Sequence, residues 1–142
     1  MIDKDKPPTN FYSNYVNPKK NKHQFDELSS KIIGSAIQVH KELGPGFLEG
    51  IYEEAMKVQL AESKISYENQ VDITIEFHGT KIGVHRLDLL VNKQIVVELK
   101  AVKEILDIRV AQIRSYLKAT GLKTGLLINF AKPVIDIKRV VY

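Results

Sequence analysis

The hydrophobic pattern of this chain changes its period near residue 70, and that change limits the class of fold. Between Leu28 and Val39, apolar residues recur at the three- and four-residue spacing of an amphipathic helix, and a second helical stretch covers about residues 48–63. From Val71 to Phe77, apolar and polar residues alternate, which is typical of a half-buried strand. A chain that passes from helices to strands in this way predicts a mixed α/β (α+β) domain.

Capping and turn residues divide the chain into eight elements. Asp26 is the expected N-cap of the first helix, and the Gly-Pro-Gly sequence at 44–46 ends it. A third helix is predicted to begin at its cap Asp107 and to end at Gly121. The predicted strands are 71–77, 81–91, 94–100, 125–130 and 134–141. We therefore predict the order α-α-β-β-β-α-β-β in a single domain over residues 26–142.

The N-terminal residues and the composition exclude several classes of protein. Residues 1–25 show no hydrophobic period, so we expect a partly ordered or disordered arm, whose aromatic residues could dock on the domain or on another chain. The absence of cysteine excludes disulfides and thiolate metal sites. No apolar run approaches about 18 residues and no signal peptide is apparent, so we expect a cytoplasmic protein without a membrane partner. A net charge of +4 permits a nucleic-acid partner without requiring one.

Three charged residues in the predicted centre of the sheet are the strongest functional signal. Glu98 and Lys100 lie two residues apart in VVELK and therefore share one face of a strand, while RLDLLV places Asp88 in the preceding strand. If residues 92–94 form a three-residue loop, Asp88 lies directly opposite Glu98. A two-residue loop would place Asp88 opposite Val97 instead. We predict the three-residue loop.

Carboxylates that face each other across a hairpin repel, so this pair needs a compensating charge. A hard divalent cation such as Mg²⁺ would bind both carboxylates. Lys100 would then lie beside the metal, where it could orient or deprotonate a water or neutralise charge on a phosphate. The alternative is an ordinary salt bridge from Lys100 to Asp88 or Glu98, and these three residues alone favour that alternative.

A further motif changes this balance. The stretch LGPGFLEGIYEEA contains Gly46, Glu49 and Tyr52 at the spacing G-x-x-E-x-x-Y. It resembles the GxxExxY protein family, a branch of the PD-(D/E)XK nuclease superfamily. Other segments resemble the family in the same order over roughly residues 28–141, namely RLDLLV, VVELKAV, AQIRSYLKATGLKTGLLINF and IKRVV. The resemblance implies a restriction-endonuclease-like core with a mixed central sheet flanked by helices, a Mg²⁺ or Mn²⁺ cofactor and a nucleic-acid substrate.

The same resemblance implies a metal-binding role for four positions. They are Asp88, Glu98, Glu49 and the backbone carbonyl of Leu99. Lys100 corresponds to the lysine of the superfamily's E-x-K motif. Two positions depart from the pattern. Leu87 stands where the superfamily's name has proline, and His85 stands where an aromatic or small residue is expected.

The remaining candidate residues lie on the predicted helices or beside them. Gln112 and Tyr116 share a helix face and correspond to the Q-x-x-x-Y element of exonuclease-like branches, and a glutamine on an apolar face needs a partner. Tyr52 either packs beside Glu49 or belongs to the site, and His40 either caps the first helix or has a secondary role there. Basic residues around the third helix either contact phosphate or form a solvated face, namely Lys103, Arg109, Arg114, Lys118 and Lys123.

Three functions are compatible with these features. The first is a Mg²⁺- or Mn²⁺-dependent phosphodiesterase that acts on DNA rather than RNA. The second is a nucleic-acid-binding or regulatory module that keeps the fold without cutting. The third, a structural or assembly protein that uses the aromatic arm, leaves the carboxylates unexplained. A domain of this size has little room for separate recognition elements, so a partner protein could supply specificity, and a homodimer remains open.

Overall fold

A computed structural model describes residues 24–142, with side chains from residue 27 onward, and contains three helices and five strands in that part of the chain. Their bounds are α1 Gln24–Leu43, α2 Glu49–Glu62, β1 Tyr67–Phe77, β2 Thr80–Val91, β3 Ile95–Lys100, α3 Asp107–Thr120, β4 Thr124–Asn129 and β5 Asp136–Val141. This order confirms the predicted α-α-β-β-β-α-β-β sequence. The predicted arm lies almost wholly outside the described residues. None of the described helices is long and apolar enough to cross a membrane.

The helices lie where the sequence predicts them, but two of the predicted N-caps are not the residues that precede the helices. α1 begins at Gln24, so Asp26 lies within the helix and the predicted N-cap is wrong. Asp107 is the first residue of α3 rather than its cap, because Leu106 occupies the N-cap position without a side-chain hydrogen bond. An acidic side chain there still complements the positive end of the helix dipole. Gly121 ends α3 in the left-handed conformation with φ of 79°, as predicted.

The five strands form one mixed sheet in the order β1-β2-β3-β4-β5. β3 and β4 are parallel, and the other neighbouring pairs are antiparallel. Val91 pairs with Ile95, so residues 92–94 form the predicted three-residue loop. Asn92 and Lys93 adopt left-handed φ angles of 51° and 55° in that loop. The β2–β3 register on which the carboxylate argument depends is therefore confirmed.

Both faces of the sheet are covered. α1 and α2 pack on one face, against residues that include Leu89, Val97 and Leu99. α3 packs on the other face. The approach of α3 is close, because a Cβ at Gly125 of β4 would lie 2.6 Å from Ile113 Cγ2. β3 is buried from Ile95 to Leu99, as expected for a central strand with both faces covered.

β2 changes face at Asp88. Leu89 belongs to the core under α1 and α2, whereas Leu87 belongs to the core under α3. In a regular strand, residues two apart would share a face. On β1, Gln70 lies between the residues that pair with Leu87 and Leu89 and has a left-handed φ of 53°. The far half of the β1–β2 hairpin therefore faces α3, and Asp88 lies at the point of change.

Candidate active site

Asp88 and Glu98 meet where regular pairing of β2 with β3 ends. The last paired residues are Leu89 and Val97, and the same register places Asp88 opposite Glu98. Beyond that pair, each carboxylate accepts a backbone N–H of the other strand. Asp88 N–H donates to Glu98 Oε2 at 3.0 Å, and Leu99 N–H donates to Asp88 Oδ2 at 2.9 Å. The carboxylates thus replace backbone carbonyls as acceptors at this end of the hairpin.

Burial makes this pair of carboxylates hard to ionise. Glu98 is only 7% exposed, and burial together with the charge of Asp88 raises the pKa of Glu98 to about 7. Burial also raises the pKa of Asp88, and the Leu99 N–H opposes that shift. Near neutral pH the pair therefore holds a proton for part of the time. A divalent cation would stabilise the fully ionised pair and would therefore displace this proton.

Lys100 does not neutralise the two carboxylates by direct contact. Among the described residues, ion pairs join Lys57 to Glu54, Arg86 to Asp72 and Lys132 to Asp136, and none involves Lys100. The ordinary salt bridge considered from the sequence is therefore not formed. The ammonium charge still lowers the pKa of both Asp88 and Glu98, so Lys100 lies close to them without an ion pair.

A small cavity lies between β3 and α3, beside Glu98. It measures about 10 Å³, which is roughly the space that one water requires. The polar side chains that line it are Glu98, Lys100, Arg109, Gln112 and Tyr116. All five were named from the sequence, Arg109 as one of the basic residues around the third helix. Gln112 accepts a hydrogen bond from Arg109, with 3.2 Å between Nη1 and Oε1, so the glutamine has the partner that its position required.

Tyr116 is held against an imidazole. Its ring stacks on His85 with 3.8 Å between ring centroids and 16° between planes. Burial, followed by the charge of Glu98, raises the pKa of Tyr116, while burial, followed by the charge of Lys100, lowers that of His85. Both rings are therefore neutral at pH 7. Among the described side chains, His85 Nε2 is a buried atom without a hydrogen-bond partner. The sequence signal for His85 was its departure from the superfamily pattern.

α2 directs two acidic residues toward the carboxylate pair. Glu49 is the exposed first residue of α2, and its charge acts on Asp88 more weakly than that of Glu53. Glu53 lies one turn further on, acts on both Asp88 and Glu98, and accepts a hydrogen bond from Gln70 Nε2 at 2.7 Å. The prediction singled out Glu49 alone. The four-residue spacing, which puts both on one helix face, was the available signal for Glu53.

Tyr52 and His40 support the neighbouring loops. Tyr52 is fully buried, donates its hydroxyl hydrogen to the Gly44 carbonyl at 2.6 Å and stacks on Phe130 with 4.5 Å between centroids. His40 Nε2 lies 2.8 Å from the carbonyl oxygen of Lys132. These contacts fix the α1–α2 loop and the β4–β5 loop. Their geometry favours the packing interpretation of Tyr52 over a direct role.

Of the predicted basic residues around α3, Arg109 lines the cavity and the others do not. Arg114 and Lys118 belong to α3, but Arg114 is separated from Gln112 by roughly 200° around the helix axis. Lys118 lies one turn beyond Arg114, on the same flank. Neither residue lines the cavity, whereas Arg109 does. Lys103 is exposed in the loop that follows β3.

The residues present fit a divalent cation bound by two protein carboxylates. Among the described residues, no group of three or more His, Asp or Glu side chains is close enough to form a complete protein cage. Mg²⁺ commonly takes only one or two carboxylates and completes its shell with water and phosphate oxygens. The hard oxygen donors of Asp88 and Glu98 match that requirement.

Comparisons with known proteins concern the family and the fold of this chain. A family model described as the PD-(D/E)XK nuclease superfamily matches residues 26–140. A comparison with curated proteins finds no significant match. Among solved structures, the crystal structure of a protein named SSO0001 matches with a TM-score of 0.53 and 20% identity, covering 92% of this chain and 59% of the other. This chain thus spans less than two thirds of that protein's length, and the likeness concerns the fold alone.

Proposed function

Because the chain belongs to the PD-(D/E)XK nuclease superfamily, we propose that it is a divalent-metal-dependent nuclease that hydrolyses phosphodiester bonds in DNA. The spacing of Gly46, Glu49 and Tyr52 supports assignment to the GxxExxY branch. The observation that carries the proposal is the facing pair of buried Glu98 and half-buried Asp88, which has no cation partner within ion-pair distance among the described residues.

Each polar group at the site has a proposed part in binding or chemistry. Asp88 and Glu98 would hold the metal, with the Leu99 carbonyl as a further ligand and Glu49 assisting from α2. Mg²⁺ or Mn²⁺ bound there would stabilise charge on the phosphate and lower the pKa of a water. The reaction that this chemistry serves is attack of water on a phosphodiester bond.

Lys100 is the proposed catalytic residue beside the metal ligands. It lies near both carboxylates without pairing with either, so its ammonium remains available for a water or for a phosphate oxygen. The water-sized cavity places Gln112 and Tyr116 beside Lys100. These two side chains can hydrogen-bond a water or a nucleotide in that space.

The test measures metal binding and DNA cleavage separately. Titration calorimetry with Mn²⁺ should show binding to wild type that is lost in Asp88→Ala. The exposed Asp72→Asn variant on β1 is the matched control and should bind as wild type does. If wild type binds no divalent ion at millimolar concentration, the proposal fails.

Cleavage is then assayed on single-stranded, blunt and nicked DNA with Mg²⁺ or Mn²⁺. Lys100→Ala should reduce the rate at least about a hundredfold, because it removes a charge aimed at the reacting phosphate. Degradation that persists unchanged in this variant would identify a contaminating nuclease. Metal and DNA binding without any cleavage would favour the silent binding module instead.

A further inference from the structure

We propose that Arg109 is the phosphate-binding residue of this site and that Gln112 is its positioning residue. The inference rests on the proposed function, since it assumes that a nucleic-acid phosphate lies beside Asp88 and Glu98. It selects one of the basic residues that the sequence left open between phosphate contact and a solvated face. It also gives Gln112 a role that acts through Arg109.

The contacts of Arg109 leave most of its donors free. Its exposed side chain lies at the first turn of α3 and lines the cavity together with Glu98 and Lys100. Nη1 donates to Gln112 Oε1 at 3.2 Å, and among the described residues Arg109 forms no ion pair. A guanidinium carries five N–H groups in a planar fork, so at least four remain for another acceptor. This fork matches two oxygens of a phosphate.

The charges that line the cavity call for an anion once a cation is bound. A divalent cation would engage Asp88 and Glu98, and Glu49 and Glu53 of α2 do not line the cavity. The positive charges of Lys100 and Arg109 would then have no counterpart among the groups that line the cavity. Arg109 also lowers the pKa of Tyr116, which places its charge at the same cavity. Phosphodiester oxygens supply the missing negative charge, and more of it as water attacks.

Gln112 is suited to hold Arg109 in place because a neutral amide leaves the guanidinium charge unreduced. A carboxylate at this position would pair with Arg109 and compete with phosphate. The four-residue step to Tyr116 keeps Gln112 on the cavity side of α3. Arg114, in contrast, lies roughly 140° away from Arg109 around the same helix. Arg114 is therefore a matched control of the same residue type on the same helix.

The experiment measures the affinity of a labelled single-stranded oligonucleotide in Ca²⁺ over a range of salt concentrations. Arg109→Ala should weaken binding about tenfold, since a charge-assisted phosphate contact is lost. It should also reduce the slope of log affinity against log salt by about 0.7. Arg114→Ala should change neither quantity. Gln112→Ala should weaken binding by a smaller factor, and the Arg109→Ala, Gln112→Ala double variant should bind like Arg109→Ala alone.

Two results would overturn the inference. One is an effect of Arg109→Ala on affinity and salt slope no larger than that of Arg114→Ala. The other is additive losses in the double variant, which would mean that Gln112 does not act through Arg109. Because the assay needs no cleavage, a protein that binds with the expected slopes but cuts nothing would refute the nuclease proposal and leave this inference standing. Thermal melts of all variants verify folding.

Discussion

Replacing Glu98 with glutamine should stabilise the metal-free protein while abolishing its metal binding. Glutamine keeps nearly the same shape and can still accept the Asp88 N–H through its amide oxygen. It removes a carboxylate that is buried and faces another carboxylate. The wild-type residue is thus expected to lower the stability of the folded state in order to bind a cation.

The magnitude follows from the pKa of Glu98, which rises from its ordinary value of 4.5 to about 7 in the folded protein. A raised carboxyl pKa means that the folded state binds the proton more tightly than the unfolded chain does. The stabilising contribution of Glu98 is therefore fully present below pH 4.5 and is lost as pH rises from there through about 7. Above that range, ionised Glu98 costs the folded state about 3 kcal/mol. Glu98→Gln should remove this cost at about pH 8 and show almost no gain near pH 4.5.

The assay is urea unfolding of metal-free wild type and Glu98→Gln at both pH values, with EDTA present. The exposed Glu68→Gln variant on β1 is the control and should match wild type at each pH. A Glu98→Gln protein that is less stable than wild type at pH 8 would refute the reasoning. So would a gain of equal size at both pH values, because burial of charge would then not be its cause.

Three further predictions concern the site and its support. Because Mn²⁺ must displace the proton from Glu98, its affinity should rise about tenfold between pH 6 and pH 8, with proton release measurable by calorimetry in buffers of different ionisation enthalpy; a flat pH profile would contradict this. His85→Ala should lower the pKa of Tyr116 in ultraviolet titration, because it removes the ring that buries the phenol, whereas His85→Phe should not; Tyr116→Phe identifies the signal. Gly125→Ala should destabilise by about 1–3 kcal/mol in thermal melts, since its Cβ would meet Ile113 at 2.6 Å, while Gly34→Ala, with open space around it, should not.

The hairpin that carries the carboxylates could be predicted because two simple rules determine it. Side chains alternate along a strand, and the loop length sets which residues face each other. A three-residue loop therefore predicts Asp88 opposite Glu98 from the sequence alone. The i, i+4 spacing likewise placed Gln112 and Tyr116 on one side of α3, and the cavity contains both.

The remaining features depend on interactions that a sequence pattern does not contain. The alternation that predicts β1 begins at Val71, so it gives no signal for the left-handed φ of Gln70, where the hairpin changes faces. Asp26 and Asp107 are good capping residues, but α1 includes Asp26 and Leu106 occupies the N-cap position of α3. Which basic residue of α3 reaches the cavity depends on how the helix rotates against the sheet, and that rotation favours Arg109 over Arg114.

Because β2 changes face at Asp88, this residue lies between a neighbour packed under α1 and α2 and a neighbour packed under α3. Leu89 on one side of it is fixed by the layer of α1 and α2, and Leu87 on the other side is fixed by the layer of α3. A repacking of either layer shifts one neighbour of Asp88 relative to the other. Substitutions in either core, far from any charged group, should therefore shift the position of Asp88 relative to Glu98 and so change the candidate metal site.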